Sequence, residues 1–197
     1  MRDFPLRLEE MRKAMLGRLI GREIQLLETT RSTNDAIFDR ITNETAAGIV
    51  VFAETQTVGR GQRGNVWESA AGKGLWFSVL LRPQMTLTDS VQLTSWAAMT
   101  VRESLLQFGI EAITKAPNDI LVRDKKVAGV LVEMRAQPKA RHIAILGIGV
   151  NVNQSPQDFS GAIRDRATSL AIIRGCEIDR TAVAISLLGR LNDSYRW

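Results

Sequence analysis

A chain of 197 residues with 45% apolar residues and a formal net charge of +5 can bury one core, so a single globular domain is the default. No apolar run reaches the length of a membrane span, and the first twenty residues mix acids with arginines, which excludes a bilayer anchor or signal peptide and implies a soluble, cytoplasmic protein. A lone Cys176 cannot form an internal disulfide, no Cys or His cluster has metal-ligand spacing, and a pI near 9.9 suits anionic partners while leaning only weakly toward nucleic acid.

Apolar residues at Leu8, Met11, Met15, Leu16 and Leu19 share one face of a helix over Leu8–Ile20, which Gly21 ends. Glu23–Glu28 reads as a strand, and Ser32, Thr33 or Asn34 can cap a helix running to Ile41. Gly48–Glu54 and Leu75–Leu81 are strands, joined by a glycine-rich connection too long for a hairpin turn; it is expected to lack structure of its own and to order on ligand binding. Ser90–Phe108 is the longest helix, with Gly109 as its left-handed stop. Three further strands follow, Ala112–Thr114 into Lys115, Val127–Met134 and His142–Val152, with Arg123-Asp124-Lys125-Lys126 as a polar turn between the first two. Thr168–Gly175 and Thr181–Tyr195 are helical by period. Mid-chain strands with helices at both ends predict an α+β fold, a mixed sheet covered by helices on one side.

Two segments carry chemistry. In Gln56-Thr57-Val58-Gly59-Arg60-Gly61-Gln62-Arg63-Gly64-Asn65-Val66-Trp67 the glycines allow close approach of backbone to an anion, and two arginines supply permanent charge, which points to a phosphate or acyl phosphate. The dinucleotide reading of Gly59-x-Gly61-x-x-Gly64 fails, because the loop does not open a helix and Leu81, Arg82, Pro83 and Gln84 stand where an acid is needed about 20 residues on. A kinase reading fails for want of His-Arg-Asp and Asp-Phe-Gly. The second segment is Lys115-Ala116-Pro117-Asn118-Asp119, where a strand end and a rigid turn hold an ammonium that could stabilise transition-state charge; a plain surface lysine is the alternative.

Together, Ser32-Thr33-Asn34, Gln56-x-x-Gly59-Arg60-Gly61, Trp67, Lys115-x-Pro117-Asn118-Asp119, Lys126-Val127-Ala128-Gly129-Val130-Leu131-Val132-Glu133 and Gly147-Ile148-Gly149-Val150-Asn151-Val152-Asn153 resemble the catalytic domain of biotin–protein ligases, from about Glu28 to Asn153. The resemblance implies a class II aminoacyl-tRNA synthetase-like, biotin–lipoate ligase catalytic fold with a largely antiparallel sheet. It implies that biotin and Mg-ATP give biotinyl-5′-AMP, and that a lysine of the biotin carboxyl carrier protein then takes the biotinyl group, with no covalent enzyme intermediate. Lys115 and Arg60 are the implied catalytic residues. Ser32, Thr33, Asn34, Gln56, Gly59, Arg60, Gly61, Gln62, Trp76, Lys115 and Gly129 are assigned to biotin, with Trp76 equally readable as plain core. Arg60, Arg63, Trp67, Lys115, Asn118 and Asn151 are assigned to ATP. Magnesium is expected on phosphate oxygens with few protein ligands, so no metal ligand is named and Asp119 is assigned to orient the lysine turn.

The chain departs from the family pattern at Gln62 and Asn65, where many members carry arginine, and at Ala116, where they carry tryptophan; fewer fixed cations imply looser retention of the adenylate. Residues 1–197 are expected to form one catalytic domain. Met1–Gly21 has room for one helix only, so no helix-turn-helix or operator binding is expected, and the small C-terminal SH3-like barrel of many relatives is expected to be absent or truncated. A sheet edge could pair with a second copy, though nothing in the chain requires it. The rival readings are a lipoate–protein ligase of the same superfamily and a non-catalytic basic module that binds nucleic acid.

Overall fold

A computed structural model describes residues 5–42, 44–86, 89–137 and 142–197. The elements are α1 (Leu8–Ala14), β1 (Glu23–Thr30), α2 (Thr33–Phe38), β2 (Ile49–Gln56), β3 (Leu75–Leu81), α3 (Ser90–Leu105), β4 (Ile113–Lys115), β5 (Asp119–Val122), β6 (Lys125–Arg135), β7 (Ile143–Val150), α4 (Leu170–Arg174) and α5 (Arg180–Ser194). The strands form one seven-stranded sheet in the order β1-β2-β3-β7-β6-β5-β4. Only β1 and β2 are parallel; the other five pairings are antiparallel. A parallel pair cannot be closed by a tight turn, and α2 supplies the crossover between β1 and β2.

Strand alternation divides the apolar residues between two faces. Phe52 and Phe77 pair across β2 and β3 with stacked rings 4.8 Å apart, and they join Val79, Leu146, Ile148 and Val150 in a core with α1, α3 and α5. Val51, Leu80, Ile143 and Ile145 form a second, smaller core with Ala36 and Ile37 of α2. Helices therefore cover both faces, and the expectation of cover on one side is corrected: α2, a single short crossover, is easily overlooked against the three helices opposite. The remainder of the α2 face is left to the glycine loop, residues 57–74, and this is the face that carries the site.

Other expectations shift locally. The first helix ends at Ala14 because Gly17 turns left-handed, so Leu16 and Leu19, read as part of the buried stripe, are exposed. Residues 1–4 of the Met1–Gly21 segment lie outside the described residues. Strand β5 was not anticipated, because four residues between two turns show no usable period. It forms hairpins with both neighbours, and the two-residue turn to β6 has positive φ at Arg123 and Asp124, as a primed hairpin turn requires. Lys125 and Lys126 thus belong to β6 and not to the turn. Among the described residues no helix is long and apolar enough to cross a membrane.

The base of the glycine loop is fixed by a buried ion pair. Arg180, the first residue of α5, donates to both carboxylate oxygens of Glu54 (2.6 and 3.2 Å) and to the carbonyl of Gly74 (3.1 Å), tying the end of β2 to the start of β3. Its side chain is 2% exposed. Removing one partner of such a pair leaves an uncompensated charge. Arg180→Ala is therefore expected to lower the unfolding free energy by about 3 kcal/mol in urea titration; a loss below about 1 kcal/mol would show that the pair behaves as a surface contact.

Candidate active site

The corner between β1 and α2 is polar yet buried: Ser32, Thr33 and Asn34 are each under 5% exposed. Ser32 is the N-cap of α2 and accepts from the Asn34 amide at 3.3 Å. Gln56 Oε1, at the end of β2, accepts from the Thr33 amide and hydroxyl at 2.9 and 3.1 Å. Ser78 of β3 is fully buried beneath them and donates toward Thr33 Oγ1 (2.7 Å) and Asn34 Oδ1. Buried polar groups are tolerable only when paired, and these four side chains pair one another.

Glycines make room for this layer. Ser78, Gly147 and Leu131 are opposite one another across β3, β7 and β6, and a Cβ at Gly147 would meet Asn34 Oδ1 at 2.5 Å. One step along, Trp76, Gly149 and Gly129 form the equivalent row. There the Trp67 indole occupies the missing side-chain volume, since Cβ atoms at Gly149 and Gly129 would approach it to 2.5 and 2.9 Å. Spacing of two residues along a strand places Gly147 and Gly149 on the same face.

The connection expected to be structureless carries a small hairpin of its own. Trp67 donates to the Gly59 carbonyl (2.9 Å) and Gly61 to that of Asn65 (2.7 Å), while Arg60 bridges to Val66 around a 3-10 turn at Gln62–Gly64. Arg60 reaches back to the sheet, donating to both oxygens of Asp35 (2.7 and 2.8 Å) and to Glu133 (3.1 Å), which also accepts from Asn34. Hydrogen bonds from Arg60 hold the Asp35 carboxyl below the usual carboxylate range, against the opposing effect of burial. The same bonds, followed by those to Glu133, raise the Arg60 guanidinium. One cation thus faces two carboxylates, so Arg60, assigned from the sequence to catalysis, biotin and ATP, ties the loop to the sheet with its charge balanced.

Two cavities meet at Trp67. A narrow recess is lined by Ser32, Thr33, Asn34, Gln56, Arg60, Gly61, Asn118, Gly129 and Leu131, with Trp67 and Lys126 at one end. A second cavity of about 390 Å³ is bounded by Trp67, Lys115, Asp119, Lys126, Asn151, Phe159 and Arg166. Trp67 and Lys126 border both. The Lys126 ammonium is 2.6 Å from Asp119 and 5.3 Å from the centre of the Trp67 ring. Its backbone is gripped by the segment before α4, with Lys126 N donating to the Arg166 carbonyl (2.7 Å) and Thr168 N to the Lys126 carbonyl (2.9 Å).

Several assignments move. Lys115, on an edge strand, borders only the second cavity, and the junction belongs to Lys126, which the sequence placed in a motif but gave no role. Strict alternation would put Lys126 and Gly129 on opposite faces, but a one-residue register shift between β5 and β6 brings them together. Trp76 is buried and lines neither cavity; it backs Trp67 edge-on, with ring centres 5.9 Å apart. Gly59 also lies beneath Trp67, where a Cβ would meet the Trp67 carbonyl at 2.4 Å. Gln62 and Arg63 face an outer groove with Leu131 and Glu133. Asn118, assigned to nucleotide, lines the recess, whereas Asn151 does border the second cavity, its amide donating to Thr168 O at 3.0 Å. Asp119, assigned to the lysine turn, holds Lys126. Ser78 was missed, although a single hydroxyl in the otherwise apolar Leu75–Leu81 strand was a readable signal.

This sheet, with a polar corner, a tethered glycine loop and an ammonium between two cavities, defines a class. The model described as the biotin/lipoate A/B protein ligase family matches residues 26–151, and the chain belongs to that family. The bifunctional ligase/repressor BirA of Bacillus subtilis is 37% identical over 188 residues, covering 95% of this chain and 58% of that protein. The biotin–[acetyl-CoA-carboxylase] ligase of Mycobacterium tuberculosis is 32% identical over 197 residues, covering 95% and 70%. Among solved structures, the Aquifex aeolicus biotin protein ligase in complex with biotin and ATP superposes with a TM-score of 0.75 at 34% identity, covering 87% of this chain and 69% of that one.

The Asp35–Arg60 pair makes a pH prediction. A carboxylate whose folded pKa is depressed stabilises fully above its unfolded value near 4, and the contribution is lost as pH falls through the folded value. Asp35→Asn is expected to unfold at lower urea than the unmodified chain at pH 7, with the gap closing below about pH 4; a gap constant with pH would contradict the assignment.

Proposed function

We propose that this chain activates biotin with Mg-ATP to biotinyl-5′-adenylate and transfers the biotinyl group to a lysine of a biotin carboxyl carrier protein. The observation that carries this reading is that Trp67 and Lys126 are shared by the two cavities, so an acid in the recess and a nucleotide in the second cavity would meet at one ammonium. The polar corner that lines the recess suits a cyclic urea, which needs both donors and acceptors in a dry site. The relatives named above are biotin ligases, and the Aquifex protein binds biotin and ATP.

In the first step a biotin carboxylate oxygen attacks the α-phosphorus and pyrophosphate leaves. In the second, the carrier's lysine amine attacks the acyl carbonyl and AMP leaves. Both reactants of the first step are anionic, and catalysis is positioning plus charge stabilisation. Lys126, which borders both cavities, would offset that repulsion, Lys115 borders only the second, and magnesium would be held mainly by phosphate oxygens, since Mg²⁺ keeps its water and needs few protein ligands. Gln62 faces outward, so retention of the adenylate depends on the closure of the loop and not on that side chain.

Biotin-dependent exchange of pyrophosphate into ATP separates the two lysines. Lys126→Ala should lower the rate by about 10²–10³, as expected for loss of a preorganised charge at the reacting centre. Lys115→Ala should cost less than about tenfold. The reverse ranking would return the catalytic role to Lys115, and absence of any exchange in the unmodified chain would end the ligase reading.

A further inference from the structure

Two covers flank the cavities: the glycine loop, which lies over the recess and also borders the second cavity through Asn65, Val66, Trp67 and Glu68, and residues 153–167, which border the second cavity alone. Far apart in sequence, the covers are joined by side-chain and backbone bonds that no step of the reaction uses. Glu68, just past Trp67, accepts from the Ser160 amide at 3.1 Å through Oε2 and from the Ser160 hydroxyl through Oε1. The Asn153 amide donates to the Lys73 carbonyl at 2.7 Å, and Lys73 pairs with Asp158 at 3.7 Å. Asp158 is fixed in turn by the Ser155 amide and hydroxyl at 2.7 and 2.8 Å, which close the turn at Pro156–Asp158.

We propose that Glu68 and Ser160 form a positioning clasp that makes the two covers open and close as one unit. Glu68 makes two of these joins, its carboxylate taking both a backbone and a hydroxyl donor at an exposed site. If residues 153–167 lifted alone they would admit water to the second cavity; clasped to the glycine loop, they lift only with it. On the ligase reading, on which this consequence rests, a mixed anhydride spans both cavities and is held best while both covers stay shut. The clasp therefore slows release of the activated acid without touching the reacting atoms.

The structural half of the proposal is tested without substrate. Each cover carries arginines, Arg60 and Arg63 in the glycine loop and Arg164 and Arg166 in the other, so trypsin reports the opening of each by mass. Glu68→Ala should speed cleavage after Arg166, and Ser160→Ala after Arg63, each by roughly three- to tenfold, the range for an ordinary net hydrogen bond, as befits an exposed site. Ser160→Thr, which keeps the hydroxyl, should restore the rate, and Ser160→Ala should add nothing in a Glu68→Ala background. Acceleration confined to the substituted segment, or additive effects in the double variant, would overturn the clasp. In a second arm, Ser160→Ala should form labelled biotinyl-adenylate at the unmodified rate and release it faster by a similar factor; unchanged release alongside faster cleavage would refute the retention role. If the unmodified chain forms no adenylate, the ligase reading fails, and the cleavage arm still decides whether the covers are coupled.

Discussion

A flat indole pressed onto a sheet needs a floor without Cβ atoms, and the rest of the site depends on that contact. Gly129 and Gly149 face each other across β6 and β7 and provide the floor, and Trp76, next in the same row, closes one side. Trp67 then stands as the partition between two cavities, and its position sets where the glycine loop re-enters the fold. The same device one row along lets Asn34 sit on Gly147. Glycine at alternate positions of β7 thus writes the shape of the site directly into a strand whose intervening residues, Ala144, Leu146, Ile148 and Val150, build the core on the opposite face.

Charge is arranged with similar economy. Arg60 is bound by Asp35 and Glu133 and serves to hold the loop. Lys126 has one acid, Asp119, and an aromatic face as neighbours, and of the described cations it alone borders both cavities together with the tryptophan. An ammonium on a flexible stem, paired to a single carboxylate at the end of a short strand, can follow developing negative charge, whereas a guanidinium in a fixed fork between two carboxylates cannot. The division is between a cation that builds the site and a cation that stands at the junction of its cavities.

Much of this was legible in the amino-acid sequence. The strand over Leu75–Leu81 and the long helix stopped by Gly109 follow from apolar period and a left-handed stop, and the motif order pointed to the family and its fold. What escaped has physical causes. Lys126 and Gly129 share a face only because of a register shift, which alternation cannot reveal. The pairing of Arg60 was not legible because its partners, Asp35 and Glu133, are 25 and 73 residues away. Trp76 was ambiguous on a strand buried on both faces, and the structure resolves it as support for Trp67. The loop read as structureless because its hairpin is made by backbone groups around glycines, which leave no apolar period to detect.

The central claim is that one indole on a glycine floor organises both cavities, and Gly149→Ala tests it most directly, since the added methyl would fall 2.5 Å from the ring. Calorimetric titration of that variant with biotin and, separately, with Mg-ATP should show both affinities weakened together. If either ligand binds as tightly as to the unmodified chain, the two cavities do not share the wall described here.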